Sequence, residues 1–464
     1  MRPLTLTAAA TIPITEAARL MQQHSLSALF IGSPDRLEGV VTDLDLRNRC
    51  LAAALSPATA IKSIMTLNPL TIERSASVNE ALYLLSSHQI NHLAVVEQGQ
   101  LCGMITSLDL LRLQSDHPLY LTVDIGRCQS HHELITLAQR LPKLQSQLTL
   151  FGHSAEHIHQ TMTLLSDAIT RQTLSLTLQQ QGEAPTAWCW ICGGSQARQE
   201  QLTYSDQDNA LIIADGASES DLNWFQHFAT TVNQHLAQCG YPLCSGRVMA
   251  QHRPWCRTLT SWQRQWQQWL TAPTLHSVAV AVNLLDARPL AGDLTLFESV
   301  WSPLSRDIAR QERFLRYLAA HAVTCRPPIG FFRQLVVMGE GEHAEELDIK
   351  QGALIPLVSL ARHRALALAL APLPPSTLNR LRQCESAGQL NREESIELQQ
   401  AFHFVAKLRL RHHAQQIANA QPVDNFINPN HLSRWEMQHL KEIFLTLRQW
   451  QSQLSQHYSV AELS

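Results

Sequence analysis

The sequence predicts an α+β protein of several domains. Three observations indicate this fold class: an internal repeat in the first ~115 residues, a central stretch that mixes strand and helix patterns, and long helical patterns after Trp301. With 464 residues, 45% of them apolar, the chain is long enough to bury several compact cores. We therefore expect separate modules arranged along one chain.

Composition and charge exclude some partners by default. Lys and Arg number 36 against 39 Asp and Glu, so we expect neither nucleic acid nor an anionic membrane as a partner. The longest apolar run, residues 365–374, is too short to span a bilayer, and the N-terminus lacks the pattern of a secretory signal. Ten scattered cysteines suit reduced thiols. We expect a cytoplasmic protein.

The first module is a repeat in which each copy runs helix, strand, strand, helix. The first copy holds "ITEAARLMQQHSLSALFIG" and "LEGVVTDLDLRNR", and the second holds "VNEALYLLSSHQINHLAVVEQ" and "LCGMITSLDLLRL". Apolar residues at three- and four-residue spacing predict the helices, and short β-branched runs predict the strands.

Both copies end in G-x-x-T-x-x-D, with Thr42 and Asp45 in the first and Thr106 and Asp109 in the second. A hydroxyl and a carboxylate three residues apart at a strand-to-helix turn can both reach a ribose, while the helix N-terminus faces phosphate. The alternative is a capping pair that only begins the helix. The two copies together resemble a tandem CBS (Bateman) module, and that resemblance implies that these four residues contact an adenine nucleotide: AMP, ADP or ATP.

A second candidate site lies in "GGSQARQEQLTYSDQDNALII", residues 193–213. Gly194 and Ser195 at a turn can bring backbone N–H groups and a hydroxyl close to phosphate. Asp206 and Asp208 are two residues apart, so on a strand both would point to one face and supply the carboxylates that Mg²⁺ prefers. A polar loop with a capping aspartate is the alternative.

The order Gly-Ser, about ten residues and Asp-x-Asp resembles the nucleotidyltransferase superfamily of DNA polymerase beta and kanamycin nucleotidyltransferase. That resemblance implies a third carboxylate on a later strand. "HSVAVAVNLLDARPLAGDL" offers Asp286 at the end of a strand-like run, with Asp293 as the competing choice. We expect Asp286, because Asp293 follows a Pro/Gly turn.

Further motifs narrow the resemblance to bacterial CBS-pair signal-transduction nucleotidyltransferases, related to PII uridylyltransferases and glutamine-synthetase adenylyltransferases. These motifs are "YPLCSGRVMAQHRPWCRTLTSWQRQWQQWL", "LLDARPLAGDL" and "LDIKQGALIPLVSLAR". The family resemblance implies transfer of NMP from an NTP to a protein, with Mg²⁺ or Mn²⁺ on Asp206, Asp208 and Asp286. It also implies phosphate contacts from Gly194 and Ser195, and a homodimer. Arg198 is either a phosphate contact or a paired surface side chain.

Three other patterns have simpler interpretations. The segment "CWIC", Cys189 to Cys192, has the pattern of a strand, which would place its two thiols on opposite faces. This arrangement argues against a zinc-binding or redox-active cysteine pair. "HSAEH", His153 to His157, fits a zinc-protease pattern, but histidines are abundant in this chain. Four tryptophans at near-helical spacing between 255 and 269 favour packing over base stacking.

These patterns divide the chain into five parts. They are residues 1–60 and 61–116 as the two CBS repeats, 117–182 as a helical connector, 183–300 as a polymerase-beta-like nucleotidyltransferase domain with a mixed sheet, and 301–464 as a C-terminal helical bundle.

Overall fold

The computed structural model describes residues 2–3, 6–24, 26–107, 109, 118–330, 332–370 and 376–463. The chain forms two compact units, Met1–Tyr120 and Leu121–Ser464. The expected boundary between residues 116 and 117 lies outside the described residues, as does the helical end of the second repeat.

The first unit contains two four-stranded sheets. One has the order β2-β3-β4-β5, and the other has the order β1-β8-β7-β6. The strands are β1 (Arg2–Pro3), β2 (Thr7–Ala8), β3 (Ala28–Ser33), β4 (Arg36–Thr42), β5 (Thr66–Leu67), β6 (Thr71–Glu73), β7 (His92–Glu97) and β8 (Gln100–Thr106).

The two sheets show that the sequence repeat is also a structural repeat. In each copy a hairpin pairs the predicted strands, from Ala28 opposite Thr42 in one and from His92 opposite Thr106 in the other. Both hairpins carry a register shift at the same place, after four paired residues. The described residues of this unit include the helices α1 (Ile14–Gln23), α2 (Asp43–Asp45), which continues as a π-helix over Leu46–Leu51, and α3 (Val78–Ser87).

The second unit is built on a mixed sheet of order β11-β10-β9-β12. Its strands are β9 (Trp188–Cys192), β10 (Asn209–Ile213), β11 (Cys256–Thr258) and β12 (Arg288–Gly292). Strand β10 runs parallel to β11 and antiparallel to β9. Cys189 and Cys192 of the "CWIC" segment belong to different hydrophobic clusters, on the two faces of β9. The strand interpretation is therefore confirmed, and each of the ten cysteines is a free thiol.

The helices expected to form a connector pack into the core of the second unit. They are α4 (Pro118–Arg127), α5 (His131–Ala138), α6 (Leu141–Leu150) and the long α7 (Ala155–Gln181). Fifteen residues of α7 are buried, because this helix packs against helices from the centre and the end of the unit. One hydrophobic cluster joins α4–α7 to strand β10 and to the C-terminal helices.

The remaining helices surround the sheet and form the predicted C-terminal bundle. They are α8 (Gly194–Ala197), α9 (Glu219–Gln238), α10 (Leu259–Thr271), α11 (Leu275–Leu285), α12 (Leu294–Ala309), α13 (Glu312–Ala322), α14 (Ile355–Ala367), α15 (Thr377–Ser386), α16 (Arg392–Ala418) and α17 (Arg434–His457). A π-helical segment, Lys350–Leu354, leads into α14, and the strands β13 (Leu347–Asp348) and β14 (Phe426–Ile427) pair with each other. Trp262, Trp266 and Trp269 are buried against α12 and α13, as expected of packing residues.

Among the described residues, no helix combines the length and the apolar character that crossing a membrane requires.

Candidate functional site

The Gly-Gly-Ser turn between β9 and α8 is held directly against the second aspartate of the acidic pair. The backbone N–H of Gly193 donates to the carbonyl oxygen of Asp208 at 2.7 Å. Gly194 has a φ of +52°, and a Cβ placed on it would overlap the Asp208 carboxylate. Only glycine fits this position, because a side chain would suffer both backbone strain and a steric clash.

The acidic pair lies in the extended segment immediately before β10, rather than within the strand. Asp206 and Asp208 are half-buried, and both line a cavity of about 490 Å³. Gln207 between them is buried on the other side, where its amide donates to the carbonyl oxygens of Asn233 at 3.0 Å and Tyr241 at 2.7 Å. The expected alternation of side chains is therefore present.

The environment of the pair favours a cation. Burial, together with the negative charge of Asp206, raises the pKa of Asp208 to about 6, although Arg198 and Lys350 act in the opposite direction. Asp206, Asp208 and Cys244 each offer one ligand atom, and these atoms lie within 4.8 Å of one another. Two carboxylates that converge in a partly buried cavity are a suitable donor set for a divalent metal ion.

The expected role of Asp286 does not fit the structure. The apolar run before it is helix α11, which begins at a Thr274 capping box, so the strand expected there is wrong. Asp286 follows this helix and is buried, and its carboxylate accepts hydrogen bonds from Arg198 at 2.9 Å, Arg362 at 2.9 Å and Arg380 at 2.6 Å.

Burial alone would raise the pKa of Asp286, but the charges of Arg362 and Arg380 outweigh it and hold the pKa well below its ordinary value. Its oxygens are occupied by guanidinium groups, so it does not join the donor set of Asp206 and Asp208. The competing choice, Asp293, caps α12 by accepting from the Thr295 N–H at 3.0 Å. The geometry therefore contradicts a third metal-binding carboxylate from either residue.

Arg198 is paired with carboxylates, which is the second of the two roles expected for it. Its Nε donates to Glu200 at 2.9 Å, while its Nη1 donates to Asp286 at 2.9 Å. The side chain lines the cavity, but its charge is largely neutralised by two carboxylates. Arg198 therefore links the turn after α8 to the buried Asp286 cluster.

The C-terminal helical region contributes two cations that the sequence interpretation missed. Lys350 and the buried Arg409 line the same cavity as the acidic pair. Burial lowers the pKa of Lys350, while the charges of Asp206 and Asp208 oppose this shift. Within the described part of the chain, no hydrogen bond or ion pair engages the Lys350 ammonium. Arg409 donates from Nε to Asn425 at 2.7 Å, and burial lowers its pKa to about 10.

A signal for these cations was present in the sequence. Lys350 stands in the apolar motif "LDIKQGALIPLVSLAR", and Arg409 stands in a helix whose neighbouring positions are apolar. A charged side chain at a buried helical position needs a partner or a ligand. The cavity that would hold a ligand for these two cations forms only when the chain folds.

The rest of the cavity wall is partly apolar. Trp255, Val280, Val282, Leu354 and Val358 line it beside the polar groups. A volume of about 490 Å³ lies within the usual range of small-molecule sites. The cavity therefore combines an acidic pair, a glycine-serine turn, cations and an apolar wall, which is what a nucleoside triphosphate and its metal require.

The two threonine-aspartate pairs of the first unit form closed capping boxes. The Thr42 N–H and hydroxyl donate to Asp45 at 2.9 Å and 2.8 Å, and the Asp45 N–H donates back to the Thr42 hydroxyl at 3.3 Å. Thr106 and Asp109 repeat this pattern, with distances of 3.0 Å, 2.7 Å and 3.0 Å. The capping role is thus present in both copies. A ribose contact would have to use the same threonine and aspartate side chains that form the capping boxes.

The "HSAEH" histidines do not form a metal cluster. His153 and His157 stack at 5.0 Å near the start of α7. In the described residues, the group of at least three metal-ligating side chains is the one formed by Asp206, Asp208 and Cys244.

A mixed sheet that presents a Gly-Ser turn and an acidic pair to one cavity, followed by a helical domain and preceded by a CBS-like repeat, defines a regulated nucleotidyltransferase. Comparison with known families agrees. "CBS domain" matches residues 1–52 and 61–116, "Putative nucleotidyltransferase DUF294" matches 139–276, and "Putative nucleotidyltransferase substrate binding domain" matches 312–458. The chain belongs to the family of nucleotidyltransferases that carry a CBS pair.

Individual relatives each match about a quarter of the chain. Hypoxic response protein 1 of Mycobacterium tuberculosis is 33% identical over 108 residues, which are 23% of this chain and 76% of that protein. The uncharacterized protein YlbB of Bacillus subtilis is 35% identical over 99 residues, or 21% of this chain and 67% of that protein.

A solved structure gives a match of similar extent. It is described as "a putative signal-transduction protein with CBS domains" from Burkholderia ambifaria. It shares 28% identity, covers 24% of this chain and 83% of that chain, and has a TM-score of 0.23.

Proposed function

We propose that this protein transfers a nucleoside monophosphate group from an NTP to a side chain of an acceptor protein, in the manner of a uridylyl- or adenylyltransferase. The observation that carries the proposal is the shared cavity of Asp206 and Asp208, Gly194 and Ser195, and Lys350. The hydroxyl oxygen of an acceptor side chain attacks the α-phosphorus and its proton passes to solvent, while the bond between the α-phosphorus and its bridging oxygen breaks and pyrophosphate leaves.

Asp206 and Asp208 would hold Mg²⁺ or Mn²⁺. When bound, such an ion neutralises phosphate charge and polarises the α-phosphate. The backbone of Gly194 and the hydroxyl of Ser195 face the β- and γ-phosphates. Asp286 is not part of this metal site, because three arginines occupy its carboxylate.

Lys350 and Arg409 add positive charge to the same cavity. A cation in a partly buried site interacts with phosphate more strongly than one in water does. Since these residues follow the acidic pair by more than a hundred positions, the triphosphate site is composite: the sheet domain supplies the metal ligands, and the C-terminal helices supply the cations.

The test is labelling with each of the four α-labelled NTPs and Mg²⁺ or Mn²⁺, with and without lysate of the source organism. The wild type should label a protein band and thereby identify both nucleotide and acceptor. Asp206→Asn/Asp208→Asn should label nothing, and the exposed control Asp307→Asn should label as the wild type does. Label that persists in the double variant would contradict the proposal.

A non-catalytic nucleotide sensor is the second candidate, and one observation favours it. The third carboxylate expected of the superfamily is buried in an arginine cluster instead of facing the cavity. NTP binding without transfer in the labelling experiment, under every metal tried, would select this alternative.

We also propose that an adenine nucleotide, AMP, ADP or ATP, binds the CBS pair through Thr42, Asp45, Thr106 and Asp109 and alters transfer. A ligand changes activity only if it binds the active and inactive states unequally. Adding each nucleotide to the labelling reaction should change its rate in the wild type but not in Asp45→Ala/Asp109→Ala. The association of CBS pairs through their helices leads us to propose a homodimer, which light scattering would measure.

A further inference from the structure

A thiol lies beside the acidic pair. Cys244 is buried, and its ligand atom lies within 4.8 Å of those of Asp206 and Asp208. A tight turn fixes its position: the Arg247 N–H donates to the Cys244 carbonyl at 2.9 Å, and Arg247 has a φ of +58°. The Cys244 N–H also donates to the sulfur of Met249 at 3.4 Å. The turn therefore fixes the backbone of Cys244, and the thiol interacts with the Asp208 carboxylate through a side-chain hydrogen bond.

A second observation indicates that a bound ligand completes this cavity. His159 is only 3% exposed and lines the same cavity, and its Nε2 has no hydrogen-bond partner among the described residues. Buried polar atoms in native proteins are nearly always satisfied, so a group that is absent from the protein itself is expected to complete the site. The Lys350 ammonium in this cavity, which no hydrogen bond or ion pair among the described residues engages, points to the same conclusion.

A sulfur ligand in place of a third oxygen ligand would change which cation such a site prefers. Mg²⁺ takes oxygen ligands in near-octahedral geometry, whereas sulfur ligands favour softer ions such as Zn²⁺ and Co²⁺. Two carboxylates and one thiolate leave a fourth position of a tetrahedral ion open, as in catalytic zinc sites. A phosphate oxygen or water can occupy that position.

We propose that Cys244 is the third protein ligand of the metal at Asp206 and Asp208, and that the site binds Zn²⁺ or Co²⁺ through sulfur in preference to Mg²⁺. This inference rests on the proposed function, because it uses the same acidic pair. On binding, the S–H bond breaks, the proton passes to solvent, and a metal–sulfur bond forms without oxidation or reduction.

Cobalt absorption tests the sulfur bond directly. Full-length protein titrated with Co²⁺ should develop a thiolate-to-cobalt charge-transfer band in the near ultraviolet that saturates at one ion per chain. The band should be lost in Cys244→Ser and retained in Cys325→Ser, a control that removes another incompletely exposed thiol. A band that persists in Cys244→Ser, or its absence from the wild type, overturns the inference.

Affinity provides the selectivity test. Cys244→Ser should weaken Zn²⁺ binding by at least about tenfold and leave Mg²⁺ binding within about twofold, as expected for loss of one soft ligand. Equal weakening for both ions contradicts sulfur ligation. If the variant does not fold, Zn²⁺ should instead protect Cys244 of the wild type from alkylation, as read by mass spectrometry of its peptide; unchanged alkylation would again overturn the inference.

The outcomes separate this inference from the proposed function. A Cys244-dependent cobalt band in a protein that labels no acceptor supports the metal site and removes the transferase activity. Labelling of an acceptor by a protein whose cobalt spectrum does not depend on Cys244 supports the transferase activity and removes the proposed sulfur ligand.

Discussion

At the residue scale, the candidate site depends on a few positions that tolerate no other side chain. Gly194 has a left-handed conformation, and the Asp208 carboxylate fills the space that a Cβ on Gly194 would need. Asp286 is surrounded by three guanidinium groups in the interior of the second unit. We expect Gly194 to be required for function and Asp286 for stability, and substitutions at the two positions distinguish these roles.

Gly194→Ala should strongly reduce transfer. The new Cβ would overlap the Asp208 carboxylate and displace it from the cavity, so kcat/KM should fall by at least about 100-fold, the effect expected of misplacing a reacting group by about 1 Å. Gly388→Ala is the matched control, because Gly388 also has a positive φ, of +73°, but nothing lies within 4 Å of its Cβ position. The control should lose about 1 kcal/mol of stability and no activity. Steady-state labelling and urea unfolding measure both effects.

Asp286→Asn should destabilise the second unit by about 3–5 kcal/mol, because it leaves buried arginine charges without their carboxylate. Asp208→Asn should be neutral or stabilising, because burial and Asp206 already disfavour the charged form of Asp208. Urea unfolding followed by tryptophan fluorescence reports this unit, since all ten tryptophans lie between 188 and 450. An unchanged midpoint for Asp286→Asn would show that the arginine cluster is not structural.

At the element scale, two segments that lie far apart in the sequence position the site. Helix α7 carries Asp167, which accepts from Gln196 of α8 at 3.1 Å and from Arg288 of β12 at 2.8 Å. Ser166 of the same helix donates to Gln201. The π-helical segment before α14 brings Lys350 to the cavity. One element therefore orients the Gly-Ser turn, and the other supplies charge.

Asp167→Ala should lower both stability and transfer. It leaves the Arg288 charge and the Gln196 amide without their acceptor, at a cost of about 2–4 kcal/mol, and it loosens the helix that follows Gly193. Glu156→Ala on the same helix is the control, since its ion pair with Arg382 is solvent-exposed and should contribute less than about 1 kcal/mol. Activity at wild-type level in a destabilised Asp167→Ala would show that α7 does not position the turn.

Lys350→Ala should raise KM for the NTP by about tenfold or more, because a charge-assisted contact to phosphate contributes about 1.5–3 kcal/mol. The exposed Lys407→Ala should leave KM unchanged. Initial rates at varied NTP concentration separate KM from kcat. An equal KM in both variants would place the triphosphate elsewhere in the cavity.

At the scale of the whole molecule, buried neutral histidines should make the second unit sensitive to acid. Burial lowers the pKa of His131 and His363 to about 4, of His159 to about 3 and of His413 to about 2. An unfolded histidine has a pKa of about 6.5, so below that pH the unfolded state binds protons that the folded state excludes. Stability that is complete above about pH 6.5 is therefore lost as the pH falls toward 4.

The free energy of unfolding should fall by up to about 2 kcal/mol per buried histidine between pH 6.5 and 5. His131→Phe should reduce this slope and cost little at pH 7.5. Among the described residues neither ring nitrogen of His131 has a hydrogen-bond partner, and a phenyl ring can keep the stack on His235 at 3.6 Å. Urea midpoints at pH 7.5, 6 and 5 measure the slope. A slope that is identical in His131→Phe and the wild type would contradict this account.

The sequence alone determined the parts of this protein that depend on local pattern. The repeat, its strands and helices, the Gly-Ser turn before the acidic pair and the C-terminal helices all follow from periodicity and short-range spacing, because side-chain direction along a strand or helix is fixed locally. The strand character of "CWIC" and the packing role of the tryptophans were predicted for the same reason.

Only the tertiary structure decided what meets the acidic pair. The apolar run before Asp286 was assigned to a strand because a short buried helix and a buried strand have similar composition. Which charges come together is likewise a long-range matter. Asp286 pairs with Arg362 and Arg380, whereas Lys350 lies in the cavity of Asp206 and Asp208 and is affected by their charges without an ion pair among the described residues. The third donor of the site, Cys244, is set by a turn between α9 and β11 that brings it beside Asp208. Spacing in the sequence fixes neighbours along one element, whereas folding fixes neighbours between elements, and the chemistry of this site lies between elements.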